Sequence, residues 1–153
     1  MVHAKLGDMR LSVKEYKDGD VVLARHVPSA DAWTKPLQFF SKDEDYIQVG
    51  TWCYDAGKEL LAHAHNVAPR SFDWTQEVLY ICKGRIRAHI YDLGHKKVGE
   101  IVAEEGDLVV MLAGAHGYDI LSDGTRVVEI KNGPYVGAEA DRVRLKEQPA
   151  RTN

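Results

Sequence analysis

The chain is poor in several features that would settle its class quickly, and each shortage excludes something. It carries only two cysteines in 153 residues, Cys53 and Cys82. Thiols so far apart in sequence make neither a disulfide framework nor a paired zinc motif, so both are read as reduced residues on strands. Long apolar runs are missing as well: the longest, Leu108 to Ala115, falls far short of the ~18 residues of a membrane span. The opening MVHAKLGDMR has no apolar stretch of the secretory kind, and the expected compartment is the cytoplasm. Neither sign of charge dominates, with 20 basic against 23 acidic residues. Such a balance offers no broad field for nucleic acid or an anionic membrane, which leaves a small molecule as the expected partner. Helix signals are sparse too. A single helical turn is predicted from Ser29 to Trp33, capped by Ser29 and ended by Pro36.

What the chain does have is a succession of short β-branched and aromatic runs. They cover Tyr46 to Tyr54, Glu77 to Cys82, Arg85 to Tyr91, Asp107 to Leu112 and Arg126 to Lys131, and they predict an all-β sandwich or barrel. Lys83-Gly84, Asp92-Leu93-Gly94, Glu105-Gly106 and Asp123-Gly124 separate them, supplying residues that accept the positive φ of tight hairpins. The length suits one domain with one core, so residues 1–153 are read as a single unit centred on about 46–135. The first ~40 residues add outer strands or a dimer arm. The tail after Tyr135 is polar and irregular, with Gln148 to Asn153 frayed.

Within this pattern His63 and His65 stand two apart. On a strand such residues share one face at ~6.6 Å spacing, so both imidazoles can address one ion. A pair of this kind also occurs on solvated surfaces, and the context decides between the two. Five residues separate Gly57 from His63, and six separate Glu77 from Gly84. The order Gly, His-x-His, Glu, Gly resembles the first motif of the cupin superfamily. The second motif is matched by Gly106, then five residues, then Leu112, Ala113, Gly114, Ala115 and His116. Here Leu112 replaces the family's usual proline, and the step from Gly114 to His116 is one residue short. Eleven residues, NVAPRSFDWTQ, separate His65 from Glu77, where the common pattern has only a few; they must bulge out as a loop. The phrases TQEVLYICKGRIRAHIYD, AGAHGYDIL and VVEIKNGPY are similar to a branch of small single-domain cupins.

The resemblance covers roughly residues 46–135 and implies a double-stranded β-helix, the cupin jelly-roll barrel, often dimeric. It also implies a metal held by His63, His65, Glu77 and His116. Three neutral imidazoles and one carboxylate form a mixed shell suited to Fe(II), with Mn, Ni, Cu or Zn as other divalent candidates. In an octahedral ion that shell leaves positions open for substrate or oxygen.

Around these residues the sequence leaves several faces ambiguous. Leu79 and Ile81 share a strand face with Glu77 and make either an apolar wall or plain core. Arg85, Arg87, His89 and Tyr91 alternate with Ile86, Ala88 and Ile90, and one set must line the barrel. Inward-facing Arg85 and Arg87 would bind an anionic substrate through planar donor forks, whereas burial favours the apolar set. Glu129 and Lys131 alternate with apolar neighbours in the same way and read as an exterior ion pair. Trp74, with Arg70 and Phe72, makes the long loop a candidate lid that touches substrate. Tyr118, two residues beyond His116, is the candidate catalytic hydroxyl. Val78 and Tyr80 are outward apolar positions that need a cover, which predicts a homodimer.

Three functions compete on these grounds. The first is an Fe(II) dioxygenase acting on a small polar or carboxylated molecule. The second is an isomerase or epimerase of a sugar or keto acid, in which a base moves a proton. The third is a non-catalytic module that binds a metal or small ligand.

Overall fold

The computed structural model describes residues 13–145. The fraying expected at Gln148 to Asn153 lies outside the described residues. The strands are β1 (Lys14–Asp18), β2 (Val21–Val27), β3 (Leu37–Phe39), β4 (Gly50–Trp52), β5 (Glu77–Lys83), β6 (Arg85–Tyr91), β7 (Lys97–Glu104), β8 (Leu108–Met111), β9 (Ala115–Ile120) and β10 (Arg126–Lys131). Two single-turn helices, α1 (Ser29–Ala32) and α2 (Ala138–Asp141), complete the described elements. None of those helices is long and apolar enough to cross a membrane.

The strands form three antiparallel sheets: β1-β2-β8-β5-β10, β7-β6-β9 and the small pair β3-β4. Among the described residues no sheet closes into a barrel. Alternation along β5 explains how the layers stack. Leu79 and Ile81 join a core with Ile86, Ala88 and Ile90 of β6, Ile101 and Ala103 of β7, and Val109 and Met111 of β8, so one face of the five-stranded sheet packs on the three-stranded one. Val78 points the other way, into a second cluster with Val27, Ala32, Phe40, Val49, Leu108, Val110 and Leu112. That face is covered by Ala32 of α1 and by Phe40, Ile47 and Val49 of the loop that joins β3 to β4.

The second cluster changes the reason for expecting a dimer. Val78 is buried and Tyr80 packs against the same cluster, so the cover assigned to a second copy comes from residues 32–49 of the same chain. Of the first forty residues, those described include β1 at the edge of the five-stranded sheet, β2 beside it, and β3 of the small pair. Ser29 does not cap α1 with its side chain. Its backbone N–H instead donates to Asp107 Oδ1 at 2.8 Å, while Asp107 Oδ2 accepts from Glu104 N–H at 3.0 Å and lies 2.7 Å from His26 Nε2. One buried carboxylate thus ties the start of α1 to β2 and to the β7–β8 turn, a constraint that local helix rules do not contain.

The run Tyr46 to Tyr54 forms a strand only over β4, and residues 53–76 form none. Cys53 and Cys82 are free and exposed, consistent with reduced thiols, and Cys82 lies on β5.

Candidate functional site

Glu77 opens β5 on the same side as Leu79 and Ile81, which sends its carboxylate into the space between the two large sheets. From the opposite layer, His116 and Tyr118 alternate along β9 and stand in register with Ile90 and Ala88. Register partners in an antiparallel pair share a face, so both side chains also point inward. The result is a compact polar cluster at the rim of the first core. His116 Nε2 lies 3.1 Å from Glu77 Oε2. The Tyr118 hydroxyl donates to the same oxygen at 3.4 Å, a long bond. Lys131, paired with Glu77 across β10 and β5, places Nζ 2.9 Å from Oε1. The same ammonium reaches Glu129 Oε1 at 2.9 Å.

The carboxylate is therefore divided between two kinds of neighbour, Lys131 on one oxygen and the imidazole and phenol on the other. Burial alone would raise the Glu77 pKa, but the hydrogen bonds and charges of His116 and Lys131 outweigh it and hold the group down at about 2. Burial pushes the Tyr118 phenol far up, and the Glu77 charge adds to that shift, so Tyr118 stays a protonated donor at neutral pH. Hydrogen bonds to Glu77 and Glu129 raise Lys131. A fixed anion flanked by a phenol and an imidazole can orient a proton-transferring His116, or offer Oε2 to a cation.

His63 and His65 occupy the irregular stretch between β4 and β5. Their rings are 5.1 Å apart and nearly edge-on, and His63 Nδ1 lies 3.2 Å from Leu61 O. Both side chains are exposed, and no ladder joins residues 53–76 to either large sheet. Glu77 and His116 come together, and so do His63 and His65, but among the described residues no three His, Cys, Asp or Glu side chains form a metal-holding group. The four match a mixed shell in kind, but the structure brings them together only as two separate pairs, which do not fit one ion. Donors ~2.1 Å from one ion and at right angles lie about 3 Å from each other, and the Glu77–His116 separation is 3.1 Å.

The structure decides the face of β6. Ile86, Ala88 and Ile90 are buried, while Arg85, Arg87 and His89 stand on the outer face, away from His116. Arg85 Nη1 lies 3.7 Å from Glu104 on the neighbouring strand β7, and Arg87 Nε lies 3.5 Å from Glu100. His89 Nε2 lies 2.8 Å from Asp119 Oδ2. The anion-binding role expected of Arg85 and Arg87 is thereby corrected: burial of three aliphatic side chains turns them outward, where cross-strand carboxylates hold them loosely. Arg85→Ala and Arg87→Ala are expected to leave the urea midpoint close to that of the wild type, because exposed ion pairs contribute little, and to leave ligand titrations unchanged.

Trp74 is half-exposed and lines a cavity of about 200 Å³ with Tyr46, Gln76 and Leu112. Of the residues lining that cavity, Leu112 belongs to the second core cluster and Ala113 packs against the first. Phe72 of the same loop stacks at 4.8 Å on Tyr46. Lys131 is the site residue that sequence reasoning missed. Its alternation was legible; the pairing of β10 with β5, which turns it onto Glu77, was not.

No protein-family model, curated protein or solved structure matches this chain.

Proposed function

We propose that this chain is a small metal-dependent cupin enzyme, an Fe(II) dioxygenase of a small polar or carboxylated molecule, with His63, His65, Glu77 and His116 holding the ion. The observation that carries the reading is the inward Glu77–His116 pair, whose ligand atoms are spaced as neighbouring donors, next in the chain to a segment bearing two adjacent imidazoles.

The same reading includes the finer fold. β9 and β10 are edge strands, each with one unpaired side. Ile120 and Val127 belong to the inner faces of those strands by their register with Ile86 and Ile81, yet they are 65% and 36% exposed. Open edges beside uncovered apolar groups favour the addition of another strand. The exposed stretch around His63 carries Leu60 and Leu61 and has no partner of its own in either large sheet. Laid along β9, it would cover those groups, close the sandwich toward a double-stranded β-helix, and bring its imidazoles to the side of His116.

A divalent ion held there would supply Lewis-acid or one-electron chemistry to a chelating substrate. The chain's own groups do the rest. Glu77 is held by Lys131 so that Oε2 faces the site, Tyr118 keeps a proton to donate, and Leu79 and Ile81 form an apolar floor that limits water. Iron-loaded protein is expected to consume oxygen with a small hydroxy or keto acid, and the His63→Ala variant to consume none; uptake that survives loss of His63 rejects the proposal. The contact of His116 with Glu77 and Tyr118 favours one further reading, isomerisation or epimerisation, because it already joins a base, its orienting carboxylate and an acid. Turnover under strict exclusion of oxygen selects that reading. A ligand that raises the melting temperature and is never converted selects a binding module.

A further inference from the structure

We infer that β10 is a dimerisation edge: it pairs antiparallel with β10 of a second copy of this chain, about a two-fold axis through Ile130. This goes beyond the metal-dependent reading above and does not rest on it. β10 lies at one margin of the five-stranded sheet and pairs only with β5. All of its residues are exposed, among them Val127, Val128 and Ile130. An open edge bearing apolar side chains recruits a further strand unless something guards it. The other margin of the sheet, β1, is guarded: a bulge breaks its register between Tyr16 and Lys17, and Lys14, Glu15, Lys17 and Asp18 charge it. β10 has no proline, and its register is unbroken from Val127 to Lys131. Its one lysine is folded back onto Glu77.

Backbone direction and charge together select the occupant. Asn132 N–H donates to Gln76 O at 3.4 Å, on the β5 side. Backbone groups alternate sides along a strand, so Val128 and Ile130 also face β5, and Glu129 and Lys131 turn their N–H and C=O to the open edge. A two-fold that sets Glu129 opposite Lys131 of the second copy joins outward groups to outward groups. It places Ile130 opposite its own counterpart and repeats the ion pair on both sides of the axis. Sliding the strands by two residues sets Glu129 against Glu129 in one direction and Lys131 against Lys131 in the other, and a slide of four forfeits both ion pairs. The edge is therefore complementary to itself in one register. The Lys131 ammonium has three N–H donors. Glu77 Oε1 and Glu129 Oε1 of its own chain, each at 2.9 Å, take two, and Glu129 of the second copy takes the third. Each copy thereby completes the ammonium that holds the other's Glu77.

Sedimentation velocity of the full chain tests the association. The wild type is expected to dimerise with a Kd on the order of 10 µM. Ile130→Lys brings two ammonium groups together on the axis, and Glu129→Lys sets like charges across it; each is expected to weaken the dimer at least about tenfold. Val102→Lys, on the exposed face of β7, is expected to leave it unchanged. Disulfide cross-linking in a Cys53→Ser, Cys82→Ser background reads the register and stands even if a lysine variant does not fold. Ile130→Cys, about 4.5 Å between Cα atoms across the axis, is expected to form an intermolecular disulfide on oxidation. Val128→Cys, ~13 Å from its counterpart, is expected to form none. A wild type that is monomeric at about 100 µM, a dimer indifferent to both Ile130→Lys and Glu129→Lys, or cross-linking through Val128→Cys in preference to Ile130→Cys overturns the inference. None of these outcomes bears on whether the protein binds a metal.

Discussion

Replacing Glu77 with glutamine is expected to destabilise the protein by about 3 kcal/mol at pH 7, and the loss should shrink as the solution is acidified. The folded carboxyl has a pKa of about 2 against an ordinary value of 4.5, and each unit corresponds to about 1.4 kcal/mol. Because the folded value is depressed, the stabilisation is fully present above about pH 4.5, where the unfolded chain is also ionised. It is lost as the pH falls from there through about 2, since the unfolded state takes up its proton first. Glutamine has no such proton to bind. It also leaves the Lys131 ammonium with one carboxylate in place of two, a change made beside the buried first core. Urea midpoints of the two proteins at pH 7, 4 and 2.5 measure the effect. The gap should be widest at pH 7 and smallest at pH 2.5; a gap that is constant across this window contradicts the electrostatic account of the cluster.

The second large effect is steric. Gly114 sits in the turn between β8 and β9 with φ +73°, and an added Cβ would lie 2.2 Å from the backbone oxygen of Tyr91 and 3.1 Å from Leu23 Cδ2. The turn cannot move aside easily, because Leu112 and Ala113 both donate their N–H groups to Leu23 O and Ala115 pairs with Tyr91. Gly114→Ala is expected to cost about 2–4 kcal/mol, of which only ~1 belongs to the left-handed backbone and the rest to overpacking. Gly124 provides the comparison. Its φ is +68°, yet nothing lies within 4 Å of its Cβ position, so Gly124→Ala should show the backbone cost of ~1 kcal/mol alone. Equal denaturation midpoints for the two variants would show that the Tyr91 contact carries no penalty. The consequence extends to the site, since His116 follows Gly114 by two residues and a displaced turn would move its imidazole off Glu77.

Much of the fold was legible in the chain. Period-2 runs marked β5, β6, β8 and β10 to within a residue or two, because a strand with one face on a core must alternate or stay apolar. Of the expected hairpin turns only Asp92-Leu93-Gly94 joins paired strands, β6 and β7; Gly84, Gly106 and Gly124 sit where the chain crosses between the two large sheets, which local turn chemistry does not distinguish from a hairpin. Glu77, His116 and Tyr118 could be nominated as site residues because of their types and spacing, and they do meet between the two sheets. Trp74 and the two arginines could not be placed in the same way. An alternating strand looks identical whichever face is turned inward, so Arg85 and Arg87 were as eligible as Ile86 and Ile90 until the packing of β6 was known.

Composition and periodicity by themselves determined that this is a β-rich chain, where most of its strands run, and which residues are chemically able to bind a cation or move a proton. Those are local properties, set by side-chain type and the pleat of a strand. Only the tertiary structure decided that Lys131 belongs to Glu77, that the arginines face away, and that Val78 is covered by its own chain. Each of these depends on which strands pair and which faces meet, and such contacts join residues far apart in sequence through burial that no local pattern records.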